Sequence, residues 1–384
     1  MTARHRELDR FDAECPIERA ATPPSAWYTD PSFHELERAW LRTRWQPLAR
    51  SDQLAVPGDF VADCWLGEPV VTVRAADGRL CALRNACLHH GAEVARNSGN
   101  ARRLVCPYHG WSYELDGTLA AMPRADGIEG IAPGGVGLAR LPVAECGPFV
   151  FASLCDATPA GPPLPPALEA LLDEARWREL SHIGRRTYSL RCNWKVYVDN
   201  YLDGGYHVAP LHRGLGSQLD GATYRTEVRD RWIAQTVRAA APDAVRDGGD
   251  GGDFAERLGA GALYAFVHPN FMLNRYGPFL DTNWVVPVAV DRTWVVFDDF
   301  VDGAAPEVSG PGGEEFVERA LAASDAVQRE DEAICESVQR SLESSAFDRG
   351  RYAPAVETGL HAFHRWLAAD LAAGAAGAPD RSEG

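Results

Sequence analysis

Two short segments constrain this chain most. They are Cys87-Leu88-His89 and Cys106-Pro107-Tyr108-His109, with sixteen residues between His89 and Cys106. Each offers one thiolate and one imidazole, so two loops can clamp one metal centre from both sides. Two chemistries use such a set. A [2Fe–2S] cluster can carry two thiolates on one iron and two imidazoles on the other. A structural zinc ion can take the same four ligands. Common zinc fingers present a Cys pair and a His pair within a small ββα unit, so two mixed pairs favour the cluster. Replacing two anionic thiolates by neutral imidazoles raises its reduction potential above that of an all-Cys cluster. His90 adjoins a ligand but falls outside the pattern, and reads as a packing or hydrogen-bonding residue. Cys81 reads as a buried strand residue. The remaining cysteines lack ligand spacing.

A second signal is the run from Asn193 to His212, NWKVYVDNYLDGGYHVAPLH. His207 and His212 are five apart, which on a regular helix is about 500° and not one face. Pro210 breaks the helix between them, so a bend can aim both rings at one point. Two imidazoles and one carboxylate on one side of an iron leave open positions, the arrangement of non-haem Fe(II) oxygenases. The carboxylate must come from elsewhere in the chain. Asp331, in QREDEAICE (328–336), is a candidate, and Glu330 and Glu332 compete with it.

The rest of the chain reads as two domains of α+β character. The segment from Asp30 to Trp45 has helical spacing after an Asp-Pro start. From about Trp45 to Asp156 short strands and turns dominate, including Val70–Arg74, Leu80–Asn85 and Pro142–Leu154. TPAGPPLPP (158–166) is a Pro-rich connector. Strands are then expected at Arg185–Cys192, Ala262–Asn274 and Thr282–Phe300, the last broken by a turn at Val290-Asp291-Arg292. Helices are expected at Trp194–Asp203 and Glu314–Glu343. The RDGGDGGD run (246–253) reads as an inserted loop rather than a lid. This gives an N-terminal helical segment (1–44) packing on the catalytic domain, a small all-β cluster domain (45–156), a larger helix-and-antiparallel-sheet domain (157–370) and a disordered tail (371–384).

Composition excludes some roles. Lys plus Arg is 38 against 54 for Asp plus Glu, a net charge of −16. Such a chain repels nucleic acid and anionic membranes and tolerates a cationic substrate. The cysteine count is nine and odd, which argues against a disulfide framework and for a reducing cytoplasmic setting. The N-terminal MTARHRELDRFDAECP has no apolar core and four acidic residues, so it does not read as a secretion or transit signal. No apolar run approaches the roughly 18 residues of a transmembrane helix.

Gly110-Trp111-Ser112-Tyr113 with Asp116-Gly117 after the second Cys/His pair, together with the two metal motifs, resembles the Rieske non-haem iron ring-hydroxylating oxygenase α-subunits. The resemblance runs from about Trp45 to Leu367. DNYLDGGYHVAPLH (199–212) is shared across that family. YAFVHPNFMLNRYGPFLDTNW (264–284) and ICESVQRSLESSAFDRGRYAP continuing to HAFHRWL (334–367) are narrower, and resemble the choline monooxygenase-like branch.

The resemblance implies a Rieske [2Fe–2S] cluster on Cys87, His89, Cys106 and His109, and a mononuclear Fe(II) on His207, His212 and Asp331. The family pattern places the iron carboxylate five residues before a Glu, which Asp331 and Glu336 match. It implies a homotrimer in which a carboxylate three residues before the first iron His links the cluster of one subunit to the iron of the next. Here Gly204 holds that position. Asp203, one residue earlier, is the candidate bridge, with Asp199 as its rival. His90 also departs, where many relatives have Arg.

The implied activity is monooxygenation: O2 and two electrons from a separate ferredoxin or flavin/iron–sulfur reductase give a hydroxylated substrate and water. No Gly-rich dinucleotide fingerprint is present, so NAD(P)H is not expected on this chain. The expected substrate is a small quaternary ammonium compound, choline first. A trimethylammonium head suits aromatic faces, and Tyr201, Tyr206, Phe271, Tyr276, Phe279 and Trp284 lie near the motifs. Competing readings are a betaine or carnitine demethylase, an aromatic ring hydroxylase, a Rieske electron-transfer protein and a zinc-stabilised binding module. The iron motif and the long second domain argue against the last two.

Overall fold

The computed structural model describes residues 3–240 and 257–377. The RDGGDGGD run and residues 378–384 lie outside the described residues. The chain divides into two compact units, one of Ala39–Arg178 and one combining the residues up to Arg38 with those from Glu179 onward.

The smaller unit is built from three antiparallel sheets. Alternating strands such as Glu68–Arg74 and Leu80–Arg84 pair around the Ala75–Arg79 turn, and send Val71, Val73 and Leu83 inward. A core of these residues with Leu104, Trp111, Tyr113 and Leu119 supports both Cys/His loops. The connector belongs to this unit, not to the larger one expected from sequence. After the Pro-rich stretch, helix Pro166–Glu174 begins with proline at its first turn and buries Leu168 and Leu172. Trp177 then seats beside Phe149 and directly over Gly147, where a Cβ would come within 2.1 Å of the indole. Burying that ring anchors the connector.

The larger unit centres on a seven-stranded antiparallel sheet. Its order is Ser181–Leu190, Arg292–Val301, Phe279–Ala289, Phe271–Tyr276, Gly261–Val267, Trp232–Ala239 and Leu219–Val228. The single strand expected over Ala262–Asn274 is two, broken at His268–Asn270, so that Val267 pairs back on Phe271. Helix Trp194–Tyr201 starts on an Asn193 cap that accepts from the Lys195 N–H, and ends two residues before the expected Asp203. Helix Gly313–Leu342 is close to the expected span.

The N-terminal helix Pro31–Leu41 belongs to this unit as far as Arg38 and is tied to it by a buried ion pair. Glu37 accepts from Lys195 at 2.6 Å and from the Trp194 indole at 2.7 Å, with both charged side chains fully buried. Burial raises the Glu37 pKa and lowers that of Lys195. The expectation of a disordered tail from 371 is corrected for its first residues. Helix Thr358–Gly377 runs through them and buries Leu360, Phe363, Leu367 and Leu371 at helical spacing. The Ala-rich composition read as disorder is equally a strong helix former.

Candidate metal centres and the adjoining cavity

The two loops of the smaller unit are built alike. The Gly91 N–H donates to the Cys87 carbonyl, and the Gly110 N–H donates to the Cys106 carbonyl. The Cys87 N–H donates to Ala92, and the Cys106 N–H to Trp111. Both glycines are left-handed, at φ 74° and 76°, a conformation that side chains resist. Each turn therefore buries its cysteine and carries its histidine outward. The rings of His89 and His109 meet with Nδ1 atoms 3.1 Å apart, so both present the same nitrogen to one point.

The Tyr113 hydroxyl lies 3.2 Å from Cys87 Sγ and accepts the Leu88 N–H. Burial and this thiol contact push the Tyr113 pKa up, keeping its hydroxyl neutral. Burial and the neighbouring His90 and His109 lower the His89 pKa, favouring the neutral ring a metal requires. Two buried thiols and two convergent imidazoles fit a cluster with mixed ligation. His90 lies against His89 at a tilt, with ring centroids 3.9 Å apart, and is exposed. Cys81 is half-buried in its strand, not fully buried as expected.

In the larger unit, His207, His212 and Asp331 bring one ligand atom each within 4.8 Å of one another. Helix Trp194–Tyr201 is followed by Gly204 and Gly205 at φ 73° and 75°. A Cβ at Gly204 would lie 2.1 Å from the Val356 carbonyl oxygen, and one at Gly205 would lie 2.5 Å from the Tyr224 ring. No carboxylate can therefore stand three residues before His207. Asp203 reaches the same histidine instead. Its Oδ2 accepts from His207 Nδ1 at 2.8 Å and from the His207 backbone at 2.9 Å, while Oδ1 accepts from the Tyr206 N–H. Asp199, the rival, is occupied elsewhere, accepting from Tyr28 at 2.7 Å and lying 3.0 Å from His364 Nε2.

His212 repeats the device. Its Nδ1 meets Glu330 at 2.6 Å, and its Nε2 lies 3.1 Å from Asp331 Oδ1. His207 Nε2 is 3.8 Å from the same oxygen, which Asn200 also holds by donating at 2.8 Å. Each imidazole thus has a carboxylate at Nδ1 and turns Nε2 toward the third residue. Such outer contacts fix ring tautomer and orientation in metal sites. Burial opposes a charge on His212, but Asp331 and Glu330 outweigh it and raise its pKa. The three competing acids separate cleanly. Asp331 faces the histidines, Glu330 supports His212, and Glu332 turns away to Arg329 at 2.9 Å. Glu336 pairs with Arg191 at 2.7 Å. The donor set of two imidazoles and one carboxylate fits an iron with open positions.

A cavity of about 120 Å³ opens beside these three residues. Its sheet wall includes one cross-strand row. Gln235 pairs with Tyr264, Tyr264 with Asn274, and Asn274 with Asp281. Residues in register share a face, so this row of polar and aromatic groups looks into the cavity together. Of the six aromatic candidates, Tyr201 and Tyr276 line it, joined by Tyr197, Tyr224, Tyr264 and Phe297, which sequence reasoning missed.

The other four candidates lie off the cavity. Phe271 and Trp284 pair with each other on the opposite sheet face. Phe279 packs on Phe316, and Tyr206 is exposed beyond the glycine turn. The missed signal was polarity. Asn274, Asp281 and Asn283 interrupt otherwise apolar strands and are buried, which is costly without a purpose or partners.

Residues 177–373 match the family described as ring hydroxylating alpha subunit (catalytic domain), and residues 44–133 match the Rieske [2Fe-2S] domain. The chain belongs to the Rieske ring-hydroxylating oxygenase α-subunit family. The chloroplastic choline monooxygenase of Arabidopsis thaliana is 43% identical over 370 residues, covering 93% of this chain and 84% of that protein. The carnitine monooxygenase oxygenase subunit of Acinetobacter pittii (strain PHEA-2) is 33% identical over 220 residues, 56% of this chain and 59% of that one. A solved quaternary ammonium Rieske monooxygenase, described in terms of carnitine oxidation and inter-subunit electron transfer, superposes with a TM-score of 0.79. It is 25% identical and covers 91% of this chain and 95% of that chain.

The oxygenase is a Rieske non-haem iron monooxygenase, with a [2Fe–2S] cluster and a mononuclear iron as its cofactors. Like other α-subunits of the family it takes electrons from a reductase or ferredoxin. Its α+β architecture agrees with the expected class. Among the described residues no helix is long and apolar enough to cross a membrane.

Proposed function

We propose that this oxygenase hydroxylates a small quaternary ammonium compound, with choline as the first candidate and a betaine as the second. The observation that carries this reading is the cavity beside His207, His212 and Asp331, whose walls combine tyrosine rings with the buried Asp281 carboxylate. A trimethylammonium group cannot donate N–H hydrogen bonds and is held by aromatic faces and fixed negative charge. The choline and carnitine monooxygenases among its relatives support the reading.

Cys87, His89, Cys106 and His109 would hold the cluster. His207, His212 and Asp331 would hold the iron, which supplies O2 activation. The chain's own residues would orient the substrate and keep the cavity closed to bulk water. Asp203, bonded to His207 Nδ1, is the proposed electron bridge to the cluster of a neighbouring subunit in a homotrimer, as the family resemblance implies. The proposed partner is a ferredoxin or a flavin/iron–sulfur reductase, and the proposed setting is cytoplasmic.

The test is substrate-dependent O2 and NAD(P)H consumption with a surrogate reductase across choline, glycine betaine, carnitine and simple aromatic acids. Coupled uptake with a quaternary ammonium compound is expected. Uptake confined to an aromatic acid would overturn the substrate reading and leave the oxygenase assignment standing.

A further inference from the structure

Of the polar groups lining the cavity, Gln235 Oε1, Asn283 Nδ2 and Gln328 Nε2 are buried without a hydrogen-bond partner. The Tyr201 hydroxyl donates to Asn274 Oδ1 at 2.7 Å, which commits the Asn274 amide nitrogen to the other side. That nitrogen donates to Asp281 at 2.6 Å. The Tyr276 hydroxyl donates to the second Asp281 oxygen at 2.6 Å. Asp281 is 4% exposed. Two neutral donors do not neutralise it, and burial raises its pKa. Arg257 also lines the cavity, 5.0 Å over the Tyr276 ring, and its charge offsets part of the cost of this buried carboxylate.

Across the cavity, Tyr197 donates to Gln328 Oε1 at 2.9 Å. In this orientation of the amide, Gln328 Nε2 is buried without a hydrogen-bond partner. Gln328 is 2% exposed and lies three residues before Asp331 on helix Gly313–Leu342, hence on the same face one turn away. An unspent buried donor is expensive to keep, and this one lines the same cavity as the three metal-binding candidates.

We propose that the cavity is a two-ended receptor, in which Asp281 anchors the cationic head of the substrate and the Gln328 amide N–H holds its oxygen atom beside Asp331. This rests on the quaternary ammonium reading above and assigns that substrate an orientation. With choline so held, the carbon bearing the hydroxyl faces the metal-binding residues, and the N-methyl groups point toward the sheet. The reaction is then insertion at that carbon. Its C–H bond becomes C–OH with one atom of O2, and the other atom leaves as water with two electrons from the reductase and two protons. The product is the aldehyde hydrate, not formaldehyde.

The test compares choline with its neutral isostere 3,3-dimethylbutanol in the holoenzyme. Asp281→Asn keeps the shape and one acceptor oxygen while removing the charge. Its KM for choline should rise about tenfold or more, and that for the isostere by less than about twofold. Gln328→Leu should raise both KM values together and leave competitive inhibition by tetramethylammonium unchanged, because that ion has no oxygen end. The cluster absorbance and thermal unfolding of each variant report whether it is folded.

Should Asp281→Asn not fold, the wild-type enzyme carries the test. Tetramethylammonium should then compete at least about tenfold better than tert-butanol. Equal weakening of choline and isostere in Asp281→Asn would overturn the anchor, as would equal inhibition by the two small competitors. Formaldehyde as the main product from choline would overturn the orientation. If the wild-type enzyme consumes no quaternary ammonium compound at all, the substrate reading falls with the anchor. If it consumes choline and Asp281→Asn leaves KM unchanged, the anchor alone falls.

Discussion

Replacing Asp203 by Asn separates two roles the carboxylate is placed to play. Oδ2 serves both the ring and the backbone of His207, and Oδ1 serves the Tyr206 N–H. Both oxygens therefore face backbone donors, and an amide must turn its NH2 against one of them. If it faces His207, it also donates to Nδ1 and drives the ring proton to Nε2, the nitrogen a metal needs. Losing an outer carboxylate contact of this kind costs about 10–100-fold in metal affinity, or roughly 1.4–2.7 kcal/mol.

The expected result is iron binding weakened within that range, measured by competition with a chelator in protein whose cluster absorbance is intact. Saturating iron should restore occupancy but not turnover, because the proposed electron bridge is also lost. Unchanged iron affinity would refute the orientation argument. Weakened affinity with full turnover at saturating iron would refute the bridge.

Cys87→Ser and His109→Ala should each abolish the cluster's visible and EPR spectra, since each removes one of two protein ligands to its iron. His207→Ala and Asp331→Ala should abolish turnover with the cluster spectrum intact, iron falling by roughly one atom in three. Full activity in Asp331→Ala would move the carboxylate role elsewhere. Lys195→Met should destabilise the larger unit by about 3–5 kcal/mol, read by denaturant unfolding, because it leaves the fully buried Glu37 carboxyl without its cation. Adding Glu37→Leu to it should recover much of that loss.

Burial, reinforced by Asp281 and only partly offset by Arg186, lifts the Asp299 pKa to about 6. The folded state then holds this proton more tightly than the unfolded chain. Its contribution to stability is full below about pH 4 and is lost as pH rises through 6. Thermal unfolding from pH 4.5 to 7.5 should therefore show the wild type losing ground to Asp299→Asn, and a constant difference would refute the shift.

The metal motifs were legible because their ligands sit within a few residues of one another and their chemistry tolerates few substitutes. Asp331 was legible only by pattern. Neighbours on a helix differ by about 100° in direction, so Glu330, Asp331 and Glu332 look equivalent in sequence yet meet His212, the histidine pair and Arg329 respectively. The cavity was harder. Nearness in sequence selected Phe271 and Trp284, but period-two alternation puts them on the far face of the strands that carry Asn274 and Asp281. Tyr264 and Gln235 were invisible for the same reason. They join the row through strand register, which the sequence of one strand does not contain.

The glycine pair before His207 shows how such a departure from a family pattern is accommodated. Position 204 packs against the Val356 carbonyl with no space for a side chain, and its left-handed backbone favours glycine. Asp203 stands one residue further back, and two successive left-handed residues bring the chain round so that it meets His207 Nδ1 at 2.8 Å. Placing an acid back at the family position by Gly204→Asp should therefore fail to rescue Asp203→Asn, because the new side chain collides with backbone rather than reaching the histidine. Iron affinity in the double variant is the measurement. Recovery to the wild-type value would show that the Val356 segment yields, and that spacing rather than packing governs this turn.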